Sequence, residues 1–215
     1  MIGLLQKDFF ILWHAYKKNL LLILALYTGM ALLLEMNFML FFLCWVMGFY
    51  VVGAISIDNY SKWDLYAACL PVKKGQIVGA KFILILLGMA AGLAYSTVMA
   101  GVLYLVHGLS FVENVFTALV TVLISLVYFG VTLVLSYKFG VEKARTGMLL
   151  LVGLGAGGIM VLFNQDALSS GALSGLAAAL EARPVFWFCI LVLVSAAVYL
   201  GCWAISTMLY GKKEF

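Results

Sequence analysis

The sequence predicts an all-α membrane protein with six transmembrane helices, and three observations carry that prediction. Of its 215 residues, 66% are hydrophobic and only 10% are charged, where a soluble domain carries roughly a quarter charged residues. Polar clusters cut the chain into six long apolar blocks. The basic residues between those blocks fall almost entirely on one side of the alternation. A mean hydropathy of +1.16 leaves too little polar material for a water-facing coat, so the bilayer is the solvent.

The apolar blocks cover residues 20–34, 38–57, 82–106, 115–136, 147–163 and 185–210. A hydrocarbon core of ~30 Å takes about 20 helical residues, so the third and sixth blocks exceed a perpendicular span and are expected to tilt. The first block is short; it borrows Ala15 and Tyr16 while Lys17 and Lys18 reach back to the headgroups. The first two blocks are separate helices, because together they would run roughly 55 Å, and Glu35-Met36-Asn37 supplies the turn between them. Helices are expected throughout, since backbone groups in lipid must pair internally. Asp8 precedes the first block and no small-x-small site comes after it, which predicts a retained first span rather than a cleaved signal peptide. Residues 1–215 read as a single transmembrane domain.

Twelve of the thirteen basic residues lie in the N-terminal segment, the loops after the second and fourth spans, and the tail. Arg183 alone lies in the opposite loops. The positive-inside rule then places both termini in the cytoplasm. The formal charge of +4 reflects that topology, and no nucleic-acid partner is expected.

Several chemistries lack their residues. The four cysteines fall in spans or in a cytoplasmic loop and suggest no disulfide framework. Two histidines make no convincing metal site, and no catalytic constellation is visible. The blocks themselves contain essentially no charge, unlike ion-coupled carriers, which hold ionisable groups at membrane depth. Gly153, Gly155 and Gly158 match G-x-G-x-x-G, but no strand precedes them; the spacing of Gly153 and Gly157 reads instead as close helix packing. A P-loop lysine motif is absent, so ATP binding is not expected on this chain.

The pieces between the spans are more specific. Ile2, Leu5, Phe9, Leu12, Trp13 and Tyr16 gather on one face of the N-terminal segment, which predicts an amphipathic helix lying in the inner interface; a partner-binding arm is the alternative. After the second span, Ser61 and Asp64 have the spacing of a capping box, and Pro71 stops the helix that this box would open. A short helix over 62–70 results, with Trp63, Tyr66, Ala67 and Leu70 along one side. Such a stub either rests on lipid or docks into a partner. In the outer loop 164–184, Leu168, Leu173, Leu176 and Leu180 recur among small residues, predicting a short interfacial or re-entrant helical segment rather than a plain connector.

The run Ser61-Lys62-Trp63-Asp64-x-Tyr66, then Leu70-Pro71-Val72, Ile77-Val78 and Lys81, resembles type-2 ABC transporter permeases, in particular a small six-span group linked to peptide export and bacteriocin resistance. The opening Leu4-Leu5-x-Lys7-Asp8 and the loop from Tyr137 to Arg145 are similar to the same family. The resemblance implies a non-enzymatic transport subunit in a bacterial plasma membrane, paired with a second permease copy and with ATPase subunits that carry the ATP and Mg²⁺. The stub would be the coupling helix, contacting the ATPase through Lys62, Trp63, Asp64, Tyr66, Leu70 and Pro71. A second contact would use Phe139, Gly140, Glu142 and Lys143. A non-pumping immunity, sequestration or scaffold protein, or a small channel, is the competing class. A dimer seam rich in aromatics, of Tyr27, Phe38, Phe41, Phe42, Trp45 and Phe49, would suit amphipathic or hydrophobic peptides better than ions; the alternative is that these aromatics face lipid or pack within the chain.

Overall fold

The computed structural model describes residues 2–34, 38–69, 72–164 and 184–212. Six long helices and one short one are present among them: α1 (Ile2–Leu34), α2 (Phe38–Tyr60), α3 (Trp63–Ala68), α4 (Lys74–His107), α5 (Phe111–Phe139), α6 (Val141–Asn164) and α7 (Pro184–Gly211). The described residues contain no strand. By length and composition α1, α4, α5 and α7 can each cross a membrane. The outer segment 165–183, where a short interfacial helix is expected, lies outside the described residues.

The helices outrun the apolar blocks. Lys, Arg and Glu are good helix formers, and hydropathy marks where a helix is apolar rather than where it ends. Thus α4 begins at Lys74, not Phe82, and α2 continues through Asp58 to Tyr60. The loop expected after the fourth span collapses to Gly140, with Lys138 inside α5 and Lys143 and Arg145 inside α6. The N-terminal interfacial helix is not a separate element. It is continuous with the first span in the 33-residue α1, because Lys17-Lys18-Asn19 contains no glycine or proline to stop it, and because Asp8 is buried against the bundle.

The core is built where α5 crosses α2, α4 and α7. Phe129 of α5 is fully buried and meets Trp45 and Phe49 of α2 at ring-centroid separations of 5.9 and 5.2 Å. Trp45 and Phe49, expected in a dimer seam, therefore pack within this chain's own aromatic cluster; Phe42 pairs with Tyr27 at 5.8 Å, and the side chains of Phe38 and Phe41 lie outside the described residues. Tyr199 of α7 donates to the carbonyl of Phe82 at 2.7 Å. Along α5, Thr121, Ser125, Thr132 and Ser136 each donate to the carbonyl four residues back, which satisfies their hydroxyls inside the helix. Among the described residues nothing lies within 4 Å of a Cβ built on Gly153, and the surroundings of Gly157, its expected packing companion, lie outside the described residues.

The helices alternate in direction, so the start of α1, the end of α2, the start of α4, the end of α5, the start of α6 and the end of α7 share one end of the bundle. We term this end basal and the opposite end distal.

Candidate functional site

Four charges that the apolar blocks leave at their margins converge at the basal end. Asp8 lies two turns into α1, Asp58 in the last turn of α2 and Lys81 two turns into α4. Lys81 Nζ stands 2.7 Å from Asp8 Oδ1 and 2.5 Å from Asp58 Oδ2. Lys7 Nζ closes the ring, 2.9 Å from Asp58 Oδ1 and 3.0 Å from Asp8 Oδ1. The side chains of Lys81, Asp8 and Asp58 are 5%, 3% and 7% exposed, and that of Lys7 22%. Two cations against two carboxylates sum to zero, which is the condition under which charges survive removal from water. The apolar blocks themselves stay free of charge, since Asp58 and Lys81 lie just outside them; what changes is the place of Lys81, which is a buried residue of α4 rather than a residue of the loop after the second span.

The ring reaches α3 through an aromatic contact. Lys7 Nζ sits 3.9 Å from the centroid of the Trp63 ring, a cation–π geometry, and Trp63 tilts against Tyr66 at 5.2 Å. Trp63 also helps wall a cavity of about 20 Å³ with Asp58, Lys81, Tyr137 and Tyr210. Tyr210 is 2% exposed and meets Tyr137 edge-on at 5.6 Å. The first residue of the stub thus lies beside Lys7 and shares a small cavity with residues of α2, α4, α5 and α7.

Helix α3 is shorter than expected, six residues from Trp63 to Ala68. The capping box does not form: Lys62 occupies the N-cap in the left-handed region (φ 52°, ψ 35°) with no side-chain cap, and Ser61 Oγ donates back to the Asp58 carbonyl at 3.1 Å. The expected single face is split. Trp63 and Ala67, four residues apart, turn to the bundle, with Ala67 2% exposed. Tyr66 is 60% exposed and Lys62 is exposed. The backbone of Asp64 lies in α3 and its side chain is outside the described residues, as are Leu70 and Pro71.

The second expected contact is a tight helix-to-helix turn. Gly140, at φ 88° and ψ 157°, donates its N–H to Ser136 O at 3.0 Å, and its carbonyl accepts from Ala144 N at 3.0 Å. Side chains rarely adopt that φ, so glycine fits the position. Phe139, Glu142 and Lys143 flank it, all exposed. Helices α3 and α6 do not touch each other; each touches α2. Between α1, α2, α5 and α6 a cavity of about 250 Å³ is walled by Tyr16, Phe49, Tyr50 and Tyr128, with Glu142 and Arg145 also in its lining.

Sequence reasoning missed Lys7, Asp8, Asp58 and Lys81 as one unit. The available signal was opposite charge immediately after the second block and immediately before the third. The ring offers no nucleophile held for reaction and no open ligand position; what it can do is mechanical, tying the placement of α3 to α1, α2 and α4.

No curated protein and no solved structure matches the chain. The family described as ABC-2 family transporter protein matches residues 3–211, nearly the full length, and the long apolar helices agree with it. The chain therefore belongs to the ABC-2 transporter family and is a multi-pass membrane permease subunit of an ABC transporter.

Proposed function

We propose that the chain forms half of an exporter dimer that moves amphipathic or hydrophobic peptides outward, driven by ATP and Mg²⁺ on separate ATPase subunits. The long helices cross a bacterial plasma membrane six times, with the basal end and both termini in the cytoplasm, as the basic residues favour. The observation that carries this reading is the rooting of α3 in a buried ion ring: a six-residue stub held on a charged hub suits a helix that is pushed. Lys62, Asp64, Tyr66, Leu70 and Pro71 supply the main ATPase contact, and Phe139, Gly140, Glu142 and Lys143 the second. Trp63 acts from behind, as the anchor that passes a displacement of α3 to Lys7 and the ring. The aromatic cavity near Glu142 and Arg145 supports an amphipathic substrate.

Copurification and substrate-stimulated ATP hydrolysis with the cognate ATPase test this reading. Tyr66→Asp is expected to weaken assembly on the order of thirtyfold, the effect of losing about 2 kcal/mol at an interface anchor. Trp63→Ala is expected to leave the complex assembled but to uncouple hydrolysis from substrate. If both variants assemble and respond normally, α3 is not the coupling element. Equal peptide protection with a catalytically dead ATPase would favour the immunity-protein reading instead.

A further inference from the structure

Helix α1 meets its neighbours at two heights, firmly at the lower and weakly at the upper, and walls a cavity between them. Its lower attachment is Asp8 on Lys81. The upper one is Thr28, whose Oγ1 lies 2.5 Å from Tyr95 Oη, with Ala31 packed beside Met99 and Leu103. In between, residues of α1 from Phe9 to Leu20 face α2 and α4 across a space of about 420 Å³. Leu12, Leu20, Met47, Leu84 and Leu87 make its wall apolar. Lys17 is the one charged residue in that wall, and no carboxylate among the described residues pairs with it.

The surroundings of Lys17 identify the missing partner. Trp13 and Tyr16 share the wall, and both residue types settle at headgroup depth. A lysine on a helix leans toward the helix N-terminus, which in α1 is the direction of the basal surface. Its ammonium is thus carried toward headgroup level while the leucines beside it continue into hydrocarbon. A basic group at the rim of an apolar slot between helices complements an anion with an apolar tail.

We propose that this cavity holds an acyl chain of an anionic phospholipid from the leaflet in which α1 begins, with the lipid phosphate paired to Lys17. Naming that leaflet as the inner one rests on the orientation proposed above; the binding itself does not, and its test uses no ATPase. The occupant sits against α1 midway between the ion ring and the Thr28 contact, so it fills the slot that would otherwise separate α1 from α2 and α4.

Trp13 reports on the site directly. In a chain whose other four tryptophans are phenylalanine, reconstituted in vesicles, brominated phosphatidylglycerol is expected to reach half-quenching at a mole fraction about fivefold below brominated phosphatidylcholine. That is the ratio given by one basic residue worth about 1 kcal/mol toward anionic lipid. Lys17→Gln should erase the preference. A second measurement keeps all tryptophans: native mass spectrometry of the purified permease should show retained phosphatidylglycerol, lost in Lys17→Gln. Equal quenching by both lipids, or a preference that survives Lys17→Gln, overturns the proposal. A cavity that no brominated lipid quenches also overturns it, since a second copy or a peptide would then fill the slot.

Discussion

The two ends of the bundle are joined by different chemistry. At the basal end, α1, α2 and α4 meet through four charges, three of them on side chains no more than 7% exposed. At the distal end, α1 meets α4 through the hydroxyls of Thr28 and Tyr95, a contact of His107 Nε2 with the Leu32 carbonyl at 3.1 Å, and the small cluster of Ala31, Met99 and Leu103. Each distal contact is local and stands without the others. The basal ring works only as a whole, because removing one charge leaves its partners buried and unneutralised. The end that roots α3 is therefore the stiff one, and a push on α3 is expected to move three helices together rather than one.

The largest effect should come from breaking the ring. Lys81→Met leaves Asp8 and Asp58 sharing Lys7 alone, with one buried negative charge in excess, and the loss is expected to be about 3–5 kcal/mol, read as a large drop in thermal stability in detergent. Replacing both carboxylates as well (Asp8→Asn and Asp58→Asn with Lys81→Met) should restore most of it, since no buried charge then lacks a partner. Lys7 is more exposed and tolerates the change. A triple variant as unstable as the single one would show that the four residues do not act as a unit.

Packing in the middle of the bundle gives the next effect. A Cβ on Gly48 would lie 2.1 Å from the Phe129 ring, and that ring is held among Trp45, Phe49 and Tyr128. Gly48→Ala is thus expected to cost about 1–3 kcal/mol as overpacking. Gly153→Ala, with open space around it, should be neutral or gain up to about 1 kcal/mol from helix propensity. Unfolding measurements should show a loss for Gly48→Ala and none for Gly153→Ala; equal destabilisation would mean that Gly153 meets a surface outside the described residues.

Those contrasts also show what the sequence made legible. The six apolar blocks each lie within a long helix, because apolar composition reports where a helix touches lipid or core. The helix ends did not follow, since Lys74, Lys138 and Glu142 extend helices as readily as leucine does. Nor did the ring: Asp8 and Lys81 are 73 residues apart, and the one local signal, opposite charges abutting the second and third blocks, does not say which charges pair. The basic-residue pattern groups Lys81 with the other basic residues of the basal end for a reason unrelated to its role. At α3 the spacing of Trp63 and Tyr66 predicts one shared face, and their rings do meet at 5.2 Å; what spacing does not give is that the bundle covers Trp63 in part and leaves Tyr66 exposed.

The smallest effect tests the distal half of the comparison. Thr28 Oγ1 also lies 2.5 Å from its own Leu24 carbonyl, so its proton is satisfied within α1 whether or not Tyr95 is present. The Thr28–Tyr95 contact then adds little, because Thr28→Val removes a hydroxyl without leaving a buried donor on α1, and the Tyr95 hydroxyl, on a half-buried residue, can turn elsewhere. Interhelical hydrogen bonds in membrane proteins average about 0.6 kcal/mol in double-mutant cycles. A cycle of Thr28→Val and Tyr95→Phe is expected to give a coupling of that order, several-fold below the coupling of Lys81 with either carboxylate. A distal coupling near ~2 kcal/mol, well above that average, would erase the difference between the ends, and α1 would then be clamped at both ends of the bundle instead of hinged from its base.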